Sequence, residues 1–316
     1  MRVLYATDGS APARSAERLI TSLFDPSRCQ IEAFSVTPEP LYMAPVIDSD
    51  FELARMDVSH GSAEQIAGEA ADHLRDRGFT AIPSASRGDP ARQILRKLED
   101  DDYDLVVLGA SHASWMGTLL LGSVSMHVLH HAPCSVVVTH RPPTGSGKVL
   151  IGIDGSEAAF AAAEHAMRVL DRSKCAFTLA SVISQPAVSV AVYPPGLPLA
   201  SYTETSAIEK QRISQAWHLL ERTARQIEAR GFATEKAVLQ GAAGEQLLKE
   251  AENIRADLTV VGSRGISPIR RAFLGSISDQ IARHSPATFV GRPPAASVEH
   301  PSKTETQARI DDRERR

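Results

Sequence analysis

The strongest constraint on how this chain folds is that it repeats itself. Residues 3–20 resemble residues 149–167, with Asp8-Gly9-Ser10 matched by Asp154-Gly155-Ser156. Residues 87–95 resemble 240–248, residues 104–111 match 257–264, and residues 132–143 match 285–294. The blocks keep the same order in both halves, so one domain has been duplicated, with a period too long for a solenoid. The second copy lengthens around residues 185–188 and 193–201, which places an insertion in a loop.

Each copy alternates short apolar strands with helical patterns. Strands are expected at 2–6, 30–35, 80–85, 104–108 and 135–139, and again at 148–153, 176–182, 233–239, 258–261 and 288–290. Helices fit 11–23, 51–77, 90–98 and 123–130, then 157–170, 205–230, 244–253 and 276–284. Val106-Val107-Leu108 and Val136-Val137-Val138 are continuous apolar runs, which suit strands covered on both faces. Such alternation implies βαβ crossovers and an α/β fold of two tandem doubly wound domains. The expected boundaries are 1–142 and 148–294, joined by a Pro-, Gly- and Ser-containing linker. Residues 295–316 carry equal numbers of acidic and basic residues and few apolar ones, and are expected to be a disordered tail.

Composition removes several function classes. At 316 residues the chain can bury two full cores. A net charge of −4 gives no electrostatic footprint for nucleic acid. No apolar run approaches the roughly 18 residues of a membrane span, and the N-terminus reads directly as a strand. Cys29, Cys134 and Cys175 are odd in number and far apart, so they are read as reduced thiols of a cytoplasmic protein.

The chemistry is expected beyond the carboxyl ends of the strands, where open parallel sheets bind ligands. Asp8 and Asp154 end the first strands; Gly88 and Gly241 follow the third. After the fourth strand of the second copy, Gly262, Gly265 and Gly275 are spaced Gly-x2-Gly-x9-Gly, with Ser276 next and Ser278 two residues on. Glycine admits a close backbone approach, and a helix N-terminus offers unpaired N–H groups, so the stretch suits a phosphate. The alternative is a plain loop with a serine-capped helix. Arg264, Arg270 and Arg271 would neutralise phosphate or be solvated charges. The first copy keeps Gly109, Gly122, Ser123 and Ser125, but His112 replaces the middle glycine. A side chain there resists positive φ and close approach. Trp115, Met116 and Leu119–Leu121 either shield a ligand or pack the loop. Asp154 is either a ligand for a nucleotide's base or sugar, or a turn residue ahead of an N-cap. His127 and His130 share a helix face but lack a further metal ligand, and the helix C-terminus itself favours them. No phosphate-binding Gly-x4-Gly-Lys-Ser/Thr loop, nucleophile elbow or His-Glu-x-x-His helix is present.

On Asp8, Asp154, Gly88, Gly241 and above all Gly262-x2-Gly265-x9-Gly275-Ser276, the chain resembles the universal stress protein family in its tandem form, over nearly the whole of residues 1–294. The resemblance implies a five-stranded parallel sheet per domain, with the last strands pairing across domains; residues 136–139 and 288–290 are the candidates. It implies ATP, usually with a divalent ion such as Mg2+. The base and ribose would lie near the aspartate and loop glycines, the phosphates near the last glycine and serine. Asp154, Gly262, Gly265, Gly275, Ser276 and Ser278 would hold one nucleotide. Asp8, Gly109, Gly122, Ser123 and Ser125 would form a second site altered by His112. The expected role is a stress-response regulatory or adaptor module that pseudo-dimerises within itself or forms homodimers. A slow ATPase or phosphotransferase, or an interaction module with vestigial pockets, are the alternatives.

Overall fold

The computed structural model describes residues 1–38, 62–110, 121–184, 200–263 and 274–292, with 200–208 described in backbone only. The first half runs β1 (Arg2–Ala6), α1 (Ala11–Leu23), β2 (Gln30–Thr37), α2 (Ala63–Asp76), β3 (Thr80–Arg87), α3 (Pro90–Asp100), β4 (Leu105–Gly109), α4 (Ser123–His131) and β5 (Ser135–Thr139). The second half repeats it with β6 (Lys148–Gly152), α5 (Glu157–Val169), β7 (Ala176–Ile183), α6 (Ala200–Glu228), β8 (Ala233–Gln240), α7 (Ala243–Asn253), β9 (Leu258–Gly262), α8 (Ser276–His284) and β10 (Ala287–Gly291).

Local chemistry explains the helix starts. The side chains of Ser10, Ser62, Asp89 and Ser156 each accept a hydrogen bond from an N–H in the first turn of α1, α2, α3 and α5. The expected helix at 51–77 is described only from its Ser62 cap onward, residues 51–61 lying outside the described residues. The helix expected at 205–230 runs Ala200–Glu228. Strands β2 and β3 extend to Thr37 and Arg87 because they pair in register along their full length.

Among the described residues ten strands form one sheet, in the order β3-β2-β1-β4-β5-β10-β9-β6-β7-β8. Within each half every pairing is parallel, and the first strand separates the second and fourth. The junction is antiparallel: β5 meets β10 with Thr139 opposite Ala287 and Val136 opposite Val290. The expected pairing of the last strands is therefore made inside the chain. A reciprocal contact supports it, since Asp25 N donates to Val169 O at 2.9 Å and Asp171 N donates to Leu23 O at 2.8 Å. The same bond seen from both sides marks a pseudo-twofold axis.

The sheet carries an apolar core on each face, and both cores cross the junction. One joins α1, α2, α5 and α6 through residues such as Leu19, Leu74, Ala166 and Leu220; the other joins α3, α4, α7 and α8 through Ile94, Leu129, Leu247 and Ile281. The linker between halves is pinned. Buried Asp257 accepts from Thr144 N (2.5 Å), Thr144 Oγ1 (2.7 Å), Ser146 Oγ (3.0 Å) and Gly147 N (2.8 Å). The three cysteines are free thiols. Among the described residues no helix is long and apolar enough to cross a membrane.

Candidate functional site

In each half the order of strands reverses at the first strand, which opens a crevice at the carboxyl ends of the first and fourth strands. Because β5 and β10 are antiparallel, the two crevices open at opposite ends of the sheet. In the second half Ile151 lies opposite Val260, so the register carries Asp154 to about the level of Ser263. The Asp-Gly-Ser turn and the glycine loop thus leave neighbouring strands at one height. In the first half Ala6 lies opposite Leu108, which brings Asp8 to about the level of Ala110.

Asp154 is exposed. Its Oδ1 accepts from Ser156 N at 2.9 Å, and Ser156 Oγ in turn accepts from Ala159 N at 3.2 Å, capping α5. Asp8 and Ser10 repeat this with Ser10 N at 2.9 Å and Ala13 N at 3.4 Å. The turn role is therefore present in both halves. The other oxygen of each carboxylate has no partner among the described residues and remains free to accept.

Gly262 is the junction of the site. A Cβ there would lie 2.7 Å from the backbone carbon of Ala158 and 2.8 Å from Ala159 N, inside the first turn of α5. From the other helix, Ser278 donates its hydroxyl to Gly262 O at 2.6 Å and is buried. Two helix N-termini, those of α5 and α8, are thus drawn to one strand end. Gly109 does the same in the first half: a Cβ would lie 2.3 Å from the Pro12 carbonyl carbon, and Ser125 Oγ donates to Gly109 O at 2.8 Å. Both glycines have a helix-packing reason as well as any ligand-related one. Ser125 and Ser278 fix a helix to a strand end through the hydroxyls that the sequence offers to a ligand.

Gly122 and Gly275 are the N-caps of α4 and α8, in extended conformation and without a side-chain cap hydrogen bond. Their first-turn N–H groups therefore lack the internal acceptor that Ser10 and Ser156 give α1 and α5. Ser123 and Ser276 follow directly and are exposed. Gly88 and Gly241 follow β3 and β8, with φ of +131° and +134°. Gly265, Arg264, Arg270, Arg271, His112, Trp115 and Met116 lie outside the described residues.

The histidines of α4 have structural occupations. His127 and His131 stack with ring centroids 4.4 Å apart, and His130 Nε2 lies 3.3 Å from Asp279 Oδ1 on α8. Among the described residues no three His, Cys, Asp or Glu side chains are grouped as metal ligands. A divalent ion here would be held chiefly by ligand phosphates and water, as Mg2+ commonly is. The uncapped α8 start fits the phosphates themselves.

Three residues escaped sequence reasoning. Asp257 ties down the linker. His165 on α5 hydrogen-bonds Ser135 of the other half at 2.7 Å, with burial pushing its imidazole down to about 4. Ser263, directly after β9, is buried with an Oγ that lacks a hydrogen-bond partner among the described residues. The one signal in the sequence for Ser263 is a hydroxyl where the first copy has Ala110.

A duplicated, doubly wound α/β protein with a glycine loop after each fourth strand defines the class. The family model described as the universal stress protein family matches residues 1–140 and again 145–290. The chain belongs to that family, in tandem form. A universal stress protein of Mycolicibacterium smegmatis is 28% identical over 261 residues, covering 78% of this chain and 79% of that one. One from Mycobacterium bovis is 24% identical over 251 residues, covering 78% and 83%. The crystal structure of a universal stress protein from Archaeoglobus fulgidus shares the fold, with a TM-score of 0.60 at 24% identity, covering 92% of this chain and 98% of that one.

Proposed function

We propose that the protein binds ATP, with Mg2+ carried on the phosphates, in the second-half crevice, and acts as a cytoplasmic stress-response regulatory or adaptor module. The observation that carries this reading is the convergence of α5 and α8 on Gly262. Each helix N-terminus holds about half a positive charge, so two of them at one strand end favour an anion. α5 satisfies its own first turn through Ser156, whereas α8 leaves its donors open.

In this reading the α8 first turn and the Ser276 hydroxyl take the phosphates. Gly265 admits them closely, and the free oxygen of Asp154 receives the ribose or base. Gly262 and Ser278 position the two helices. The first-half crevice, with Asp8, Gly109, Gly122, Ser123 and Ser125, is the weaker site because His112 replaces the loop's middle glycine. In this reading the role is binding, not turnover. Equilibrium titration with ATP and Mg2+, followed by hours of phosphate-release measurement, tests both parts. Saturable binding without turnover is expected; absence of binding contradicts the reading, and turnover abolished by Gly275→Val would make the protein an ATPase.

A further inference from the structure

The buried hydroxyl of Ser263 is the strongest feature that the family pattern does not absorb. Ser263 is only 4% exposed, and its Oγ has no hydrogen-bond partner among the described residues. Native structures rarely leave a buried hydroxyl unpaired, because burying it without a partner is unfavourable. Its placement is specific. The backbone carbonyl of Ser263 accepts from Gly275 N at 2.8 Å, so the glycine loop leaves and returns at this residue, beside the N-cap of α8. Side chains alternate along a strand. The position of a Gly262 Cβ faces α5, so Ser263 projects to the opposite face. That face is the one on which Val261 packs in the core with Leu247 of α7 and Ile281 of α8. The hydroxyl therefore lies on the α8 side of the loop's neck.

The first half has no equivalent. Ala110 occupies the corresponding position, 1% exposed and apolar. The orphan hydroxyls of that half are those of Ser84 and Ser86 on β3, at the sheet's edge, and Thr139 Oγ1, on β5 and opposite Gly109, hence on the α1 face. The two crevices thus differ at the loop neck in a way that does not involve His112.

We propose that Ser263 is a phosphate-binding and specificity-determining residue of the second-half pocket, donating its O–H to a phosphate oxygen held at the start of α8. This rests on the nucleotide reading given above. The direction of the bond follows from the chemistry: the neighbouring helix N–H groups call for an anion, and an anionic oxygen accepts from a hydroxyl. The hydroxyl is buried without a partner among the described residues, and the ligand supplies its acceptor.

The test uses full-length protein, wild type and Ser263→Ala, titrated with ATP, AMP and adenosine, together with thermal melts of the ligand-free forms. Charge-assisted hydrogen bonds of this kind correspond to roughly tenfold or more in affinity. Ser263→Ala is expected to weaken ATP at least about tenfold while changing adenosine about twofold or less. It is also expected to raise the ligand-free melting temperature, because an unpaired buried hydroxyl is removed. A hydroxyl with a merely structural bond would do the reverse, lowering the melting temperature and leaving affinity alone. Ser263→Cys, close in size but a weak donor, should match the alanine variant in ATP affinity. Wild-type protein that binds ATP beside an Ser263→Ala variant of equal affinity overturns the Ser263 assignment alone. An equal loss for adenosine and ATP overturns the phosphate contact. A wild type that binds none of the three overturns the nucleotide reading itself.

Discussion

At the scale of single residues, the site depends on atoms that are missing as much as on those present. Gly262 has no Cβ because the backbone of Ala158 and Ala159 occupies that space. Gly262→Ala should destabilise the fold by about 1–3 kcal/mol by overpacking, and should weaken ATP binding by pushing α5 away from α8. Urea denaturation and titration check the two effects; a variant of wild-type stability would contradict the packing role. His165 gives a second residue-scale expectation. Its ring is held neutral in the folded state by burial, at about 4, whereas an unfolded histidine titrates near ~6.5. The unfolded chain therefore takes up a proton first, and the stability from the neutral ring is fully present above ~6.5 and lost as pH falls towards 4. The loss over that window is at most about 3 kcal/mol. His165→Gln should flatten the pH dependence of unfolding between pH 7 and 4, and parallel profiles for the two proteins would refute the assignment.

At the scale of elements, most of the architecture was legible. Strand positions followed from continuous apolar runs such as Val136-Val137-Val138, which are indeed fully buried in β5. The start of α5 followed from its N-cap after Asp154, because capping is a local interaction, and Ser10 and Asp89 cap α1 and α3 in the same way. What could not be read depends on which segments the crossovers bring together. Ser135 meets His165 only because α5 lies at the junction of the halves, and Asp257 meets Thr144 across 113 residues of chain. The linker's composition reads as a simple spacer, yet its N–H and hydroxyl groups converge on that one carboxylate. Asp257→Ala should leave these donors without their acceptor and cost about 3 kcal/mol of stability. Hydrogen exchange at the Thr144 and Gly147 amides should accelerate with it; unchanged exchange would contradict the tether. The glycine loops mark the limit of legibility at the site. Spacing located them, but the sequence offered Gly109 and Gly262 to a ligand, whereas the structure also fills the space beside each with helix backbone.

At the scale of the whole molecule, duplication makes a pseudo-dimer whose junction is covalent. The last strands are paired with each other, so that edge is spent within the chain, and among the described residues β3 and β8 are the edge strands of the sheet. α4 and α8 meet across the axis, where His130 approaches Asp279 and Arg283 Nη2 donates to Met126 Sδ at 3.3 Å. The halves share both cores but present unlike crevices, at opposite ends of the sheet. The central claim is that the second crevice is the principal nucleotide site. Calorimetric titration of ATP and Mg2+ into wild type, Gly275→Val and Gly122→Val tests it most directly. The expected result is that Gly275→Val loses the tighter binding event while Gly122→Val keeps it; wild-type binding that survives Gly275→Val, or no binding to wild type, would contradict it.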